Sequence, residues 1–478
     1  MKKISILLLC TICVLLLNIN NVKAKEMTVD EIKHYISKHT GVEYDEIYSK
    51  VNVLSTDRLH GLLTIEGENN KKEIMSTTYS IDSFGIDKNN KLIGLSIVGA
   101  KIKNLKFLNK FQGLKLLKIS NSDIKSLEGL SGFNELEEVY MDMNNIKNLK
   151  GLSDLPVLWL LDLSYNKIEK IDYIQNIPSL KALNLWYNKI KKIEHLDKLT
   201  ELFYLNLGSN PIKKIEGLDN LKKLEKIKLD GDCDGFSPCI ENIEGLSNLT
   251  KLKYLTLNGQ RIRKIENLEN LKNLEYLSLS NTLIRNISGL NNLKNLKFLW
   301  VHNLRIKKIE GLDNLKNLIS LSIDSSFFKK IEGLDNLKKL EVLYLKKSKI
   351  TKIEGLDNLT NLKELNLTNT KITKIEGLDN LTNLKDLYLN NTEIQKIEGL
   401  DSLVNLCLLD LSDTKINNFG AIEIYKKLTN LNEFYPPEGA YHQDSEKHAK
   451  ILRIIRKRKS CENIDDNYYS EGVYRYLH

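Results

Sequence analysis

The chain has 478 residues, 41% hydrophobic and 28% charged, with a formal net charge of +9. This composition suits a soluble globular or solenoid protein and excludes a disordered, collagenous or multi-span membrane chain. The lysines are spread along the chain (Lys213 and Lys214, Lys307 and Lys308, Lys329 and Lys330) rather than gathered in one tract, so they read as a solvated lateral face and nucleic-acid binding is not expected.

The first element, residues 1–24, has Lys2 and Lys3 before an apolar run from Ile4 to Leu17, with Val22-Lys23-Ala24 at the cleavage position. This reads as a secretory signal peptide and not as a membrane span, so the mature chain is expected to be exported: extracellular, at the cell surface or in the periplasm. Cys10 and Cys13 fall inside it, each after a bulky residue where a lipid-attachment signal needs a small one. Four cysteines remain, Cys233, Cys239, Cys407 and Cys461, and an even count in an exported chain permits disulfides. The preferred pairs are Cys233 with Cys239 and Cys407 with Cys461.

Residues 25–91 have no repeat register and read as an N-terminal cap. Thr28-Val29-Asp30-Glu31 has the form of a capping box before a helix that carries Ile32, Tyr35 and Ile36 and stops at Gly41. Leu62 to Glu66 has the look of a short strand.

From residue 92 the chain repeats. Ile309 to Leu315, Ile331 to Leu337, Ile353 to Leu359 and Ile375 to Leu381 all read IEGLDNL, and each leads into L-x-x-L-x-L-x-x-(N/T/S)-x-I. The first leucine of that pattern recurs fifteen times from Leu92 to Leu406, every step 22 residues except Leu224 to Leu252, which is 28. The period and spacing fall in the leucine-rich-repeat range. In each unit the second and third leucines lie on one face of a short strand, and apolar residues such as Ile372, Ile375, Leu378 and Leu381 turn inward as the coil closes. One coil cannot bury these side chains alone, so the expected fold is an α/β solenoid, a leucine-rich-repeat horseshoe whose inner face is a parallel sheet of about fifteen strands, roughly 70 Å long at about 4.8 Å per strand, capped at both ends. The ninth residue of a unit, Asn144, Asn166, Asn188 or Asn210, is placed to bond backbone groups at the turn. Thr282, Thr370, Thr392 and Thr414 are expected to do the same task with a smaller group.

The 22-residue spacing and the IEGLDNL half resemble the bacterial surface leucine-rich-repeat proteins of the internalin type, and also the eukaryotic phosphatase-regulator subclass of the same repeat length. The resemblance covers Leu92 to about Phe434. It implies a protein-binding module that acts through its inner face, with the partner not written in the consensus.

Residues two, four and six places after each first leucine are expected to face solvent on that inner side. These columns hold Tyr140, Trp186, Tyr204, Tyr254, Tyr276, Phe298, Trp300, Tyr344 and Tyr388. The core is already filled by leucine and isoleucine, so the rings read as exposed anchors for a protein partner in a polar rim. Trp159, one place after a first leucine, reads as lateral packing. Ser280, His302 and Asp324 share one column on adjacent strands, but an open sheet face lacks the pocket and oxyanion donors that a hydrolase needs, so they read as polar contacts and no enzyme is expected.

The six-residue insertion places Asp230, Asp232 and Asp234 before Gly235, with Glu241 following, which fits the spacing of a calcium loop. No helix flanks it, and Ser237 and Pro238 stand where such a loop has an apolar residue and a ligand. A polar protrusion pinned by Cys233 and Cys239 is the other reading, and both stay open here. No other cofactor is expected.

The repeat array, 92–434 with its final cap strand, ends near Phe419, where Gly420 to Leu428 breaks the step with a helix; Leu431 and Phe434 mark the cap strand. Residues 435–478 form a basic tail in which Asp444-Ser445 starts a helix with Ile451, Leu452 and Ile455 on one face and Lys457, Arg458 and Lys459 at its end. That helix is expected to dock on the last repeats; contact with an anionic membrane is the rival. The function expected is an exported monomer that recognises a protein partner, in adhesion or host interaction. The alternative is a structural spacer of the bacterial envelope without a specific receptor.

Overall fold

The computed structural model describes residues 64–66, 72–74, 85–86, 92–99, 101–102, 104–231, 233, 238–418, 422–438 and 445–455. The signal peptide, the expected helix after Thr28 and the basic run Lys457 to Lys459 lie outside these residues. The chain divides into two compact units that meet in sequence between Leu229 and Asp230.

In the first unit, β1 (Thr64–Glu66) and β2 (Lys72–Ile74) form an antiparallel pair, β1 falling within the stretch expected to be a strand. The next strand, β3 (Gly85–Ile86), pairs antiparallel with β4 (Leu92–Val98). A parallel ladder runs from β4 through β5 (Leu116–Ser120), β6 (Glu138–Tyr140), β7 (Leu160–Asp162), β8 (Ala182–Asn184), β9 (Tyr204–Asn206) and β10 (Lys226–Lys228).

The second unit contains β11 (Tyr254–Thr256), β12 (Tyr276–Ser278), β13 (Phe298–Trp300), β14 (Ser320–Ser322), β15 (Val342–Tyr344), β16 (Glu364–Asn366), β17 (Asp386–Tyr388) and β18 (Leu408–Asp410), again parallel neighbours. The register of each pair is 22 residues, as in Tyr254 opposite Tyr276, so equivalent side chains of successive coils fall into columns. Beyond the array come α1 (Ile422–Lys427), the parallel cap strand β19 (Glu433–Tyr435) and α2 (Ser445–Ile455). The second helix packs against the first with Ile451 and Ile455 buried, so it docks on the cap helix where the last repeats were expected, and those two isoleucines are unavailable to a membrane. Tyr425 of α1 is buried edge-on to Phe434 of β19, ring centroids 5.3 Å apart.

The repeat explains this geometry. Leu365, Leu367, Ile372, Ile375, Leu378 and Leu381 of one coil are all buried, so the apolar residues of strand, corner and outer turns meet in one layer. Opposite the strand, tight turns close the coil, with Leu381 N donating to Leu378 O and Leu384 N to Leu381 O. Close stacking depends on the glycine of IEGLDNL: at Gly377 φ is +66°, and a Cβ there would lie 2.5 Å from the carbonyl oxygen of Ile353 in the previous coil. A left-handed conformation and a backbone contact both favour glycine.

The corner after the strand separates the two units chemically. Buried Asn188 accepts from Ile168 N at 2.9 Å and donates to Leu163 O at 2.9 Å in the previous coil, and to Leu185 O at 3.1 Å in its own. Asn144, Asn166 and Asn210 repeat this bridge. Thr370 and Thr392 donate only to the carbonyl three residues earlier, at 2.8 and 2.7 Å, and Thr282 and Thr414 do likewise. Threonine thus bonds backbone groups at the turn as expected, without the bridge to the neighbouring coil that asparagine adds. Ser326 at the same position donates instead to Leu304 O of the previous coil at 3.3 Å. In the second unit the bridging amide has moved to the residue before the first leucine, where exposed Asn273, Asn295, Asn361, Asn383 and Asn405 each donate to a carbonyl 23 residues earlier.

Candidate functional site

The strand columns bring the predicted aromatics together within each unit, with a burial that differs from expectation. In the first unit Tyr140 and Tyr204 are buried with Leu160 and Ala182, while Leu116, Trp159 and Phe203 pack around them. Tyr140 donates its hydroxyl to Glu138 at 3.0 Å, and burial, aided by that carboxylate, raises its pKa well above the usual phenol value. Trp159 is lateral packing, as its sequence position implied. Burial also pushes the Asp162 carboxyl up from 3.8 to about 6, against hydrogen bonds from Ser164 and Asn184 that favour the anion.

In the second unit Tyr254 and Tyr276 stack face to face, centroids 4.3 Å apart with 8° between planes, and are only 2% and 1% exposed. Phe298 is buried against them, and Trp300 meets Tyr276 edge-on at 5.4 Å. Five of the nine predicted anchors, Tyr140, Tyr204, Tyr254, Tyr276 and Phe298, are therefore buried rather than exposed. For Tyr254, Tyr276 and Phe298 the cause is the register, since rings on adjacent strands at about 4.8 Å spacing cover one another. Tyr140 and Tyr204 are covered instead by Leu160, Ala182 and the side chains packed around them. Trp186, Trp300, Tyr344 and Tyr388 are half-buried and keep surface available to a partner.

Beyond Trp300 the face becomes polar. His302 stacks on Trp300, and its Nε2 lies 2.6 Å from Ser322 Oγ and 3.8 Å from Asp324 Oδ2. Burial lowers the His302 pKa, with Asp324 opposing. Ser280 instead accepts from the His302 backbone N at 3.1 Å. A catalytic relay engages the two ring nitrogens separately, one toward the nucleophile and one toward the acid. Here one nitrogen faces both groups, and Asp324 is also 3.4 Å from Lys346 Nζ. These residues form a polar network in which the serine that meets the imidazole is Ser322 rather than Ser280.

Further along, Tyr344 donates to Glu364 at 2.7 Å. Burial pushes the Glu364 carboxyl up to about 7. Asp386, directly opposite it, is also pushed to about 7, by burial first and then by the charges of Glu364 and Glu433. Burial, with the same carboxylates, raises the Tyr388 hydroxyl pKa. Sequence reasoning placed Asp386 in the polar rim of the inner face and passed over Glu364, which occupies the same column directly opposite it.

In the insertion Cys233 and Cys239 are disulfide-bonded, as expected. Cys407 is also disulfide-bonded, and its expected partner Cys461 lies outside the described residues. Asp230 has both carboxylate oxygens engaged, one accepting from Thr256 Oγ1 at 2.7 Å and the other from Asn258 N at 2.8 Å. Glu241 is exposed, and Asp232 and Asp234 lie outside the described residues. Gln260 reaches Ile240 N at 2.8 Å and serves this coil where others have asparagine or threonine. Among the described residues, one other group could hold a cation: Asp172, Glu194 and His195, with His195 Nε2 already 3.1 Å from Asp172.

The family model for leucine-rich repeats matches residues 160–198, 272–314 and 360–402. The chain is a leucine-rich-repeat solenoid. It is similar to the crystal structure of an internalin from Listeria monocytogenes, InlF, at 26% identity over 71% of this chain and 86% of that one, with a TM-score of 0.52. It also shares its fold with a leucine-rich-repeat protein of Leptospira interrogans, at 24% identity over 72% of this chain and 84% of that one, TM-score 0.56. No curated protein matches the sequence. The likeness to bacterial internalin-type solenoids, inferred from the 22-residue unit, thus extends to the three-dimensional structure. Solenoids of this fold are typically binding modules. No helix among the described residues is long and apolar enough to cross a membrane.

Proposed function

We propose that this protein is an exported binding module that recognises a protein partner through the strand face of its solenoid, in adhesion or host interaction. One observation carries the reading: Trp300 stands half-buried at the margin of the buried cluster of Tyr254, Tyr276 and Phe298, its ring fixed by its neighbours and still accessible, and Trp186 is likewise half-buried and held edge-on by Tyr165. A ring held in place before binding loses little conformational freedom when a partner arrives. Around Trp300, the network of His302, Ser322, Asp324 and Lys346 supplies the polar rim that such interfaces use. The similarity to an internalin supports the same reading. Export rests on the signal peptide in the sequence.

The test is capture by the mature chain, residues 25–478, from host-cell surface extract and from the envelope fraction of the source organism, with Trp186→Ser/Trp300→Ser in parallel. A partner retained by the parent and lost by the double variant is expected. Equal capture by both, or none by either, would replace this reading with that of an envelope spacer.

A further inference from the structure

The sequence-defined columns stop six residues after each first leucine, and the surface of the first unit does not. At the next position the backbone is left-handed: φ is 54° at Met143, 52° at Tyr165 and 54° at Tyr187. These three residues form a file, because Met143 N donates to Ser164 O, Tyr165 N to Trp186 O and Tyr187 N to Gly208 O, at 3.0, 2.8 and 3.0 Å. They are 52%, 39% and 57% exposed. Tyr165 packs against Trp186 at 4.7 Å and against Tyr187 at 4.8 Å between centroids, and Trp186 donates its indole N–H to Ser209 Oγ at 3.0 Å.

Two features set this file apart from ordinary surface. A left-handed backbone is unfavourable for large L-residues and is favoured by glycine and asparagine. The equivalent positions of the second unit hold glycine or short polar residues, Gly259, Asn281, Asn303, Ser325, Asn369, Asn391 and Asp413, with Lys347 the one large side chain among them. Three consecutive coils of the first unit, between Asn121 and Ser209, instead hold aromatic and sulfur side chains there, in strain, without burying them. Strain retained at an exposed apolar surface points to use of that surface. The second feature is charge. Lys167 and Lys189 follow the two tyrosines on the exposed side of the same turns, with Lys147, Lys170, Lys191 and Lys192 beyond, against Glu169. None of these six ammonium groups has a carboxylate at ion-pair distance among the described residues.

We propose that Met143, Tyr165, Trp186 and Tyr187, with Lys167 and Lys189, form a second docking surface, for a protein segment that presents an apolar side chain among carboxylates. Tyrosine, tryptophan and methionine are enriched in protein interfaces, and the lysines complement an acidic partner. A nucleic acid fits less well, because the rings of Tyr165, Trp186 and Tyr187 meet at 71°, 37° and 72° and offer no parallel platform on which successive bases could stack. A membrane fits less well too, since Trp186 is tied by its indole N–H and cannot swing into lipid. This surface extends the protein-binding reading above and has its own test, in which Trp300→Ser reports on the strand face alone.

The test is selection of a displayed random dodecapeptide library on the mature chain, with counter-selection on Tyr165→Asn/Tyr187→Asn. Asparagine suits the left-handed backbone, so this variant is expected to unfold at a higher temperature than the parent while losing the selected peptides. The winning sequences should be net acidic with an aromatic or aliphatic centre. One winner, labelled and followed by fluorescence anisotropy, should bind at least tenfold more weakly to Lys167→Glu/Lys189→Glu and unchanged to Trp300→Ser. Neutral or basic winners, equal binding to the asparagine variant, or an asparagine variant less stable than the parent would overturn the proposal. So would binding of phosphatidylserine vesicles lost in the same variants, which would make the surface a membrane contact.

Discussion

The carboxylates of the second unit make stability fall as pH rises, and Glu364 allows the size of the effect to be worked out. Glu364 is only 6% exposed and accepts from Tyr344 at 2.7 Å, yet burial outweighs the help of Lys346 and moves its carboxyl from 4.5 to about 7. The folded chain therefore holds a proton that the unfolded chain has released. Linkage gives the sign: between these two values stability decreases with rising pH, and above about 7 the loss is complete. At about 1.36 kcal/mol per tenfold change in the acidity constant, the ceiling is roughly 3 kcal/mol, and relaxation with water entry reduces it to about 1–3 kcal/mol. Glu364→Gln removes the charge while keeping an oxygen for Tyr344. The amide adds a fixed cost or gain of its own, so the informative quantity is how the difference from the parent changes with pH. Thermal unfolding of both proteins at about pH 4 and pH 8 should show the variant gaining on the parent at the higher pH, by about 2–4 °C per kcal/mol. A difference that is the same at both pH values would refute the assignment of a buried, proton-holding Glu364.

Asn188→Ala removes bonds to both coils and is expected to cost about 2–4 kcal/mol, whereas Thr370→Ala, with a single bond inside its own coil, should cost about 1 kcal/mol; urea titration of the two variants compares them. Gly377→Ala places a Cβ 2.5 Å from Ile353 O at a φ of +66°, and a loss of about 1–3 kcal/mol is expected in the same assay. Opening the Cys233–Cys239 bridge by Cys233→Ser/Cys239→Ser should cost about 2 kcal/mol through the freedom returned to the unfolded chain, measured as a lower melting temperature under non-reducing conditions. Because both oxygens of Asp230 are occupied within the fold, calorimetric titration of the mature chain with calcium is expected to give no saturable heat. Saturable heat that disappears in Asp232→Ala would restore the ion.

The strands, the buried leucines and the asparagine corner were legible because each depends on spacing inside one unit. Leu136 predicts Val139 and Met141 in the core and Asn144 at the turn without reference to any other coil, and all three are buried there. What depends on neighbouring coils was harder to read. Tyr254 looks solvent-facing on its own strand, and only the ring of Tyr276 in register beside it explains its burial. The pairing of His302 with Ser322 crosses from one column to the next, a lean of the imidazole that a period-two reading cannot supply. Tyr165 and Tyr187 were missed because the alternation of a strand ends where the backbone turns left-handed. The available signal was a tyrosine in a column that elsewhere holds mostly asparagine, glycine, serine or aspartate.

The change of corner residue gives the two units different mechanical characters. In the first, the four buried corner asparagines, Asn144, Asn166, Asn188 and Asn210, clamp their coils to the ones before at sites shielded from water. In the second, buried Gln260 and Ser326 still reach the previous coil, but most clamps are exposed amides such as Asn361 and Asn383, whose bonds exchange readily with solvent. The first unit is thus a stiff spring and the second a compliant one. Under load, or against a partner of slightly different curvature, the coils between Tyr254 and Tyr388 yield first, and the strand face there can change its pitch to fit.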